Sequence, residues 1–148
     1  MARVFIAGAG YVGAVAARML REAGHAVDIG RRSARDEPGS HAMDVLRPET
    51  YPAALGEAEC VVYCVSADGF TEDSYRDACV NGLSNVVAAA AKGRARRLVF
   101  VSSTGVFGQD DGSVVDESSP ALPKGFSGRT LLEGEALLAA APFEATAI

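Results

Sequence analysis

Apolar residues along this chain follow two alternating patterns. Short apolar runs predict strands at residues 3–8, 26–30, 60–65, 97–101 and 143–148, with a weaker signal at 41–46. Between them, apolar residues at helical spacing predict helices over 11–23, 48–55, 72–91 and 131–140. This alternation predicts an α/β fold: a doubly wound parallel sheet of about six strands with helices on both faces.

The first predicted strand runs directly into a glycine-rich turn of the form GxGxxG. A strand, this turn and a helix in succession are the fingerprint of the Rossmann dinucleotide-binding fold. Gly8 would allow the tight turn, Gly10 would let a pyrophosphate approach the backbone, and Gly13 would let the helix pack on the strand. The phosphates would then lie on free N–H groups at the start of the helix, beside Tyr11 and Val12. The alternative is a plain glycine turn in an α/β core.

The junction after the second predicted strand bears on which dinucleotide is bound. A site for NAD usually places Asp or Glu there to accept from the ribose 2′-OH, whereas an arginine accommodates the 2′-phosphate of NADP. Asp28 falls inside the strand, about three residues early, and Arg31 stands at the expected position, followed by Arg32 and Ser33 as further donors. NADP is therefore favoured over NAD. The alternative is a solvated basic turn.

Two further segments follow predicted strands on the same edge. Asp44 and Val45 end the weak run at 41–46, where the carboxylate of Asp44 would meet the adenine amino group. Val65, Ser66 and Ala67 end the third strong run in a loop of small residues. Ligands bind at the carboxyl ends of parallel strands, so we expect both segments to contact the cofactor.

A third segment, Ser102-Ser103-Thr104-Gly105, closes the strand at 97–101. Its three hydroxyls would face the nicotinamide half of the cofactor. Alternatively, they only form a turn. The residues from 108 to 125 form a long polar loop, and loops of this length are often lids or binding loops.

Composition and charge exclude several classes of protein. The chain has 148 residues, of which 49% are hydrophobic and 22% charged, as in ordinary globular domains. The net charge is −5 and the one basic cluster is three arginines within 94–97, so a nucleic-acid partner is not expected. No apolar stretch approaches the ~20 residues that span a bilayer, and no signal peptide is visible. We therefore expect a cytoplasmic protein with no membrane partner.

The three cysteines and two histidines show no metal-binding spacing. Cys60 and Cys64 lie in an apolar run, which favours reduced core residues over metal ligands or a redox pair. His25 and His41 have no Cys or His partner nearby in the sequence. The sequence therefore predicts no metal site and two surface histidines.

Together these features resemble the extended short-chain dehydrogenase/reductase superfamily, which includes the NAD-dependent epimerases and dehydratases. The resemblance is carried by Gly8-x-Gly10-x-x-Gly13, Asp44-Val45, Ser66-Ala67, Asn81, the segment from Val101 to Gly108, and Asp116-Glu117-Ser118-Ser119-Pro120. It implies that Ser103, assisted by Thr104, hydrogen-bonds a substrate hydroxyl or carbonyl as the catalytic Ser/Thr. It also implies that Asn81 contributes to the helix structure and to a proton relay.

The superfamily's Tyr-x-x-x-Lys pair is missing from this chain. In the superfamily, the tyrosine is the general acid/base, and the lysine lowers its pKa and holds the ribose. If Glu135 is taken as the superfamily's helix glutamate, Ser127 and Leu131 stand at those two positions, and neither has the required chemistry. Residues 127–133 instead resemble the atypical subgroup, whose members keep the nucleotide site and often have no established chemistry. Lys124 is the alternative source of positive charge.

Two functions remain open on this resemblance. The first is an NADP-binding oxidoreductase or epimerase-like protein of the atypical type, with an unknown small-molecule substrate. The second is a catalytically silent NADP(H)-binding sensor or interaction protein. The superfamily also implies a homodimer paired through helices near 72–91 and 127–140. Because its members carry a C-terminal substrate-binding part, and this chain stops at Ile148 within a predicted strand, we expect residues 1–148 to be a truncated dinucleotide-binding domain. The alternative is a natural minimal domain.

Overall fold

Parallel strands form a single sheet in the computed structural model, which describes residues 1–148. The strands are β1 (Arg3–Ala7), β2 (Ala26–Arg31), β3 (Ser40–Ala42), β4 (Cys60–Tyr63), β5 (Arg97–Phe100) and β6 (Glu144–Ala147). Their order across the 6-stranded sheet is β3-β2-β1-β4-β5-β6, and all neighbours are parallel. The predicted doubly wound α/β fold is confirmed.

Helices connect the strands and cover both faces of the sheet. They are α1 (Tyr11–Glu22), α2 (Ala53–Glu57), α3 (Glu72–Arg76), α4 (Leu83–Ala91) and α5 (Phe126–Leu138), with 3-10 turns at Pro48–Thr50 and Thr104–Val106. A π-helical turn, Asp77–Gly82, joins α3 to α4, so the helix predicted over 72–91 has the predicted extent but a wider middle turn. None of these helices has both the length and the apolar character that crossing a bilayer requires.

The two faces of the sheet are covered unequally. On one face, Phe5 and Ala7 of β1 join a core cluster of 17 buried residues that includes side chains from α2, α4 and α5. On the other face, Val4 and Ile6 belong to a cluster of 5, to which α1 contributes Ala17. The period of two along β1 sends alternate side chains to opposite faces. The helix α5 therefore packs on the face of the sheet that carries the larger core.

The structure moves three predicted boundaries. The predicted strand at 41–46 is shorter, Ser40–Ala42, because the Asp44 amide instead donates to Thr50 Oγ1 at 3.0 Å and the chain turns away. The helix predicted over 48–55 is divided into a 3-10 turn and α2. The helix predicted over 131–140 begins five residues earlier, at Phe126, since its first turn is polar and hides the apolar spacing.

The candidate site lies where the strand order reverses. From β1 the chain continues to β2 and β3 on one side, and from β4 to β5 and β6 on the other. The register pairs Ala7 with Tyr63, so the glycine turn after β1 and the loop after β4 leave the sheet side by side. Open α/β sheets bind ligands in the crevice at this point.

Candidate functional site

The glycine turn after β1 has the tight geometry that the sequence predicts. Gly8 adopts φ +97°, and a Cβ there would lie 2.7 Å from the Cys64 carbonyl oxygen. A Cβ on Gly13 would lie 2.0 Å from the Gly8 carbonyl oxygen, so α1 packs directly on the turn. Both positions exclude a side chain by backbone contact, which shows that the turn, α1 and β4 form one tightly packed unit.

The thiol of Cys64 closes this packed unit from the β4 side. Its Sγ lies 2.9 Å from the Gly8 carbonyl oxygen, to which the thiol donates. Burial raises the pKa of Cys64 to about 11, so the thiol stays protonated and keeps its donor at neutral pH. The three cysteines carry free thiols. Cys64 therefore contacts the glycine turn as well as the core, a role that the sequence did not reveal.

Open space lies above Gly10, in contrast to its two neighbours in the motif. No heavy atom lies within 4 Å of the position a Cβ would take on Gly10. Gly10 is the N-cap of α1, and no side chain caps the helix there. The first backbone N–H groups of an uncapped helix have no intrahelical acceptor and attract anions. This end of α1 can thus accept a phosphate group without first displacing a protein side chain.

A cavity of about 740 Å³ opens over this turn. Its volume falls in the usual range for small-molecule sites, ~300–1,000 Å³. The predicted binding residues that line it are Gly8, Gly10, Arg31, Arg32, Ser33, Asp44, Val45, Val65, Ser66 and Ala67. The predicted residues outside its lining are Tyr11, Val12, Gly13, Asn81, Ser103 and Thr104. Residues predicted from four separate strand ends therefore meet around one cavity.

The two arginines after β2 have different environments. Arg31 is half-buried in the cavity wall, and its guanidinium makes no ion pair or hydrogen bond with the protein. Arg32 instead makes two hydrogen bonds of 2.6 Å to the carboxylate of Asp68, with both side chains largely exposed. The hydrogen bond from Arg32 holds the pKa of Asp68 below its usual value. Arg31 is thus the arginine that is available to a ligand without breaking an existing contact.

Asp28, the acidic residue inside β2, pairs with a histidine of the neighbouring strand. Its Oδ1 lies 2.7 Å from Nε2 of His41, which follows it on the neighbouring strand β3. The His41 ring also stacks on Phe5, with ring centroids 6.3 Å apart. The interpretation of His41 as an isolated surface residue is wrong, since the parallel pairing of β2 with β3 brings it to Asp28. Asp28 does not line the cavity, whereas Arg31 does.

The loop after β3 is fixed by hydrogen bonds to one carbonyl group. The Val45 oxygen accepts from the Tyr51 hydroxyl at 2.7 Å and from Asn85 Nδ2 at 3.1 Å. Burial raises the pKa of Tyr51 to about 12, so the phenol remains a donor at neutral pH. Asp44, next to this anchor, uses Oδ1 to accept from the Leu46 amide at 3.0 Å. Its second carboxylate oxygen is left for a ligand donor.

The two asparagines of the α3–α4 segment have different partners. Asn81 is exposed, and its Nδ2 donates to Asp77 Oδ1 at 3.0 Å, one turn earlier. Asn85 instead reaches a distant segment, because its Nδ2 donates to the carbonyl of Val45, 40 positions away in the sequence. No local spacing links Asn85 to Val45, so the sequence offered no signal for this contact.

The hydroxyls after β5 lie outside the cavity and point in different directions. Ser102 Oγ donates to Glu135 Oε1 of α5 at 2.5 Å. Ser103 Oγ accepts from the Gly105 amide at 3.1 Å and caps the 3-10 turn, which leaves its own proton free. The Thr104 hydroxyl makes no hydrogen bond with the protein, and both Ser103 and Thr104 are exposed. Ser103 can therefore donate to a ligand oxygen without giving up its capping role.

The first turns of α5 carry no acid or base at the positions expected from the resemblance. Leu131 is buried in the larger core, and Ser127 lies in the polar first turn. A Cβ on Gly128 would lie 2.1 Å from the Gly105 carbonyl oxygen, so α5 packs tightly on the 3-10 turn. Lys124, the alternative source of charge, is held in an ion pair with Asp110. The side near β5 thus offers hydroxyl donors without a neighbouring tyrosine–lysine pair.

Comparison with known proteins agrees with this geometry. The family model described as the 3-beta hydroxysteroid dehydrogenase/isomerase family matches residues 4–123. A cinnamoyl-CoA reductase 2 from Medicago truncatula is 30% identical over 99 residues, which are 64% of this chain and 29% of the relative.

Two solved structures extend the likeness over almost the whole chain. One, from Methylobacillus flagellatus and provisionally assigned as an NAD-dependent epimerase/dehydratase, is 37% identical with a TM-score of 0.77, covering 99% of this chain and 52% of the other. A short-chain dehydrogenase/reductase superfamily protein from Agrobacterium tumefaciens, solved with bound NAD, has a TM-score of 0.85 at 22% identity, covering 97% of this chain and 47% of the other. The chain thus spans about half the length of these structures. The resemblance to the short-chain dehydrogenase/reductase superfamily is confirmed.

Proposed function

We propose that this chain, which belongs to the 3-beta hydroxysteroid dehydrogenase/isomerase family, binds a nicotinamide dinucleotide at the carboxyl edge of its sheet and prefers NADP. The observation that carries the proposal is the cavity in which the open end of α1 and the unpaired Arg31 meet. An anion-accepting helix end and a free guanidinium on the same cavity wall suit a ligand with two separate phosphate groups.

The residues of the cavity suit the successive parts of such a ligand. Gly10 leaves the room that a diphosphate needs above the first turn of α1. Arg31 would bind the 2′-phosphate of the adenosine ribose through charge-assisted hydrogen bonds. The free carboxylate oxygen of Asp44 would accept from the adenine amino group. Side chains or backbone of suitable chemistry for the diphosphate, the phosphorylated ribose and the adenine support the proposal for the adenosine half of the cofactor.

In the oxidoreductase form of this proposal, the cofactor supplies hydride transfer when bound, and the chain orients the reactants. Ser103 would donate a hydrogen bond from its free hydroxyl to the substrate oxygen while its Oγ keeps the bond from the Gly105 amide. Thr104, next to it and without a protein partner, would be a second donor. A serine hydroxyl is a far weaker acid than a phenol, so Ser103 would polarise the substrate oxygen through this hydrogen bond and keep its proton, and no side chain bonded to Ser103 would supply one.

A second candidate function is a sensor or interaction protein that binds NADP(H) without turnover. The observation that favours it is α5, where the buried Leu131 replaces the superfamily's lysine and Ser127 replaces its tyrosine. On this hypothesis, the cofactor site is kept and the hydroxyls after β5 serve only as a cap and a turn.

Titration with reduced cofactor tests whether the chain binds a dinucleotide at all. An activity screen then separates the oxidoreductase from the sensor. Both predict that NADPH binds more tightly than NADH, and that Gly10→Val abolishes binding while circular dichroism shows an unchanged fold. The oxidoreductase alone predicts loss of NADPH absorbance with some member of a carbonyl and sugar-nucleotide panel, which Ser103→Ala abolishes. Affinity retained in Gly10→Val would refute the proposed phosphate position.

A further inference from the structure

The Arg32–Asp68 ion pair crosses the candidate site from one side to the other. Arg32 directly follows β2, and Asp68 lies in the loop after β4, the two strands that flank β1. Both residues line the cavity, and the guanidinium and carboxylate meet through two 2.6 Å hydrogen bonds. A bridge between the strands on either side of β1 must pass the carboxyl end of β1, where the glycine turn begins. The pair therefore lies beside the region in which the adenosine half of a dinucleotide would bind.

Carboxylates outnumber guanidinium groups around this cavity. Its acidic residues are Asp44, Asp68, Asp73 and Asp77, whereas its basic residues are Arg31 and Arg32. The hydrogen bonds to Asp68 raise the pKa of Arg32, and the nearby charge of Asp44 adds to that rise. With Asp68 bound to it, Arg32 presents little net positive charge to a ligand. The two arginines that look equivalent in sequence thus differ in the charge that they offer.

We propose that Asp68 is a cofactor-selectivity residue that acts through Arg32, setting how strongly the site prefers a 2′-phosphorylated ribose. This inference rests on the proposed dinucleotide site. A 2′-phosphate gains the full charge of Arg32 only when that guanidinium exchanges Asp68 for the phosphate. A ribose with a free 2′-OH requires no such exchange. Because the pair is largely exposed, it is held weakly enough for a dianionic phosphate to displace it.

Two nucleotides that differ only by the 2′-phosphate test this role. Adenosine 2′,5′-bisphosphate and adenosine 5′-monophosphate are titrated by calorimetry into the wild-type chain and into Asp68→Asn. The variant keeps the shape of the side chain and removes its charge. We expect the bisphosphate to bind about five- to tenfold more tightly in Asp68→Asn, and the monophosphate to change by less than about twofold.

The matched control is Asp73→Asn, which makes the same change of charge on the same cavity at a residue without an ion pair. An equal gain in this control would show a general charge effect and overturn the proposal. A double variant tests whether Asp68 acts through Arg32. In an Arg32→Ala background, the gain in bisphosphate affinity from Asp68→Asn should disappear. Persistence of the gain there would mean direct repulsion between Asp68 and the phosphate, and would overturn the role of Arg32.

Failure of this inference can be told apart from failure of the proposed function. If the wild-type chain binds neither nucleotide, the dinucleotide site itself is refuted, and the selectivity role falls with it. If the wild-type chain binds both but Asp68→Asn leaves the ratio of their affinities unchanged, the site stands and Asp68 has no part in selectivity.

Discussion

At the carboxyl edge of the sheet, the loops beside β1, β2 and β4 are fixed by more contacts than the loop beside β5. Beside β1, β2 and β4, backbone contacts exclude side chains at Gly8 and Gly13, and the Val45 carbonyl is fixed by two donors. Beside β5, Ser103 and Thr104 are exposed and lie outside the cavity. We call these the adenosine side and the hydroxyl side of the edge.

For the proposed dinucleotide site, the difference indicates which side is preformed in this structure. On the adenosine side, contacts between distant segments are already made, so a ligand would bind a preformed surface. On the hydroxyl side, Ser103 contacts only its own turn, and α5 adds packing through Gly128 without a tyrosine–lysine pair. Substitutions on the adenosine side should therefore change stability or affinity strongly, and those on the hydroxyl side should change them weakly.

The largest effect is expected at the glycine turn. Gly8→Ala places a side chain at φ +97° and 2.7 Å from the Cys64 carbonyl oxygen, so both strain and overlap oppose it. We expect it to lower the free energy of unfolding by about 3 kcal/mol or more. Urea denaturation followed by circular dichroism measures this loss.

Gly24→Ala is the matched control for this experiment. Gly24 also has a positive φ, +85°, but no heavy atom lies within 4 Å of the position of an added Cβ. Only the backbone strain remains, which costs about 1 kcal/mol. Equal losses in the two variants would contradict the close contact between the turn and β4.

A smaller effect, on affinity alone, is expected at Arg31. Arg31→Asp removes the unpaired guanidinium and adds a charge that repels a phosphate. Hydrogen bonds to charged groups contribute about 2 kcal/mol, so we expect NADPH affinity to fall roughly 30-fold. NADH, which has no 2′-phosphate, should bind as well or better. Fluorescence titration with both cofactors measures the two affinities.

Arg35→Asp, the same substitution four residues later and outside the cavity lining, is the control. It should leave the ratio of NADPH to NADH affinity unchanged. If both variants lower NADPH affinity equally, the effect is one of overall charge, and the assignment of Arg31 to the 2′-phosphate is wrong.

Local sequence patterns predict the frame of this molecule well. The GxGxxG motif and its flanking apolar residues correctly locate β1, the turn and α1, because every one of these features depends on residues close together in sequence. The same reasoning locates the strand ends whose residues line the cavity, including Arg31 and Asp44. Parallel strands bring their carboxyl ends to one edge of the sheet. Knowing which residues follow each strand was therefore enough to predict which residues meet there.

Contacts between distant segments were beyond the reach of those patterns. Asp68 and Arg32 are 36 positions apart, and Asn85 and Val45 are 40 apart, so no local spacing links them. The start of α5 was missed for a different reason. The residues between Phe126 and Leu131 are polar or glycine and interrupt the apolar spacing, and the buried Thr130 among them donates to the Phe126 carbonyl at 2.9 Å.

Removing either hydrogen-bond donor to the Val45 carbonyl should have a moderate effect on stability and on cofactor affinity. Asn85→Ala removes the donor that lies 40 positions from Val45 in the sequence. Tyr51→Phe removes the other donor, the hydroxyl, and keeps the ring. We expect each to cost about 1 kcal/mol of unfolding free energy and to weaken cofactor binding severalfold, because the loop of Asp44 loosens. Asn81→Ala, which breaks only a contact with Asp77 one turn earlier, is the control. A larger loss of affinity in the control than in Asn85→Ala would contradict the anchoring role.

The smallest effect on binding is expected on the hydroxyl side. Ser103→Ala removes a cap from a three-residue 3-10 turn, which should cost about 0.5 kcal/mol of stability. Since Ser103 lies outside the cavity, NADPH affinity should stay within about twofold of the wild-type value. Any turnover should nevertheless be lost, because the free proton of Ser103 is the donor assigned to the substrate oxygen. Parallel cofactor titration and rate measurements test this separation. A loss of affinity as large as that in Arg31→Asp would show that the two sides of the edge form one binding surface, and the distinction between them would no longer hold.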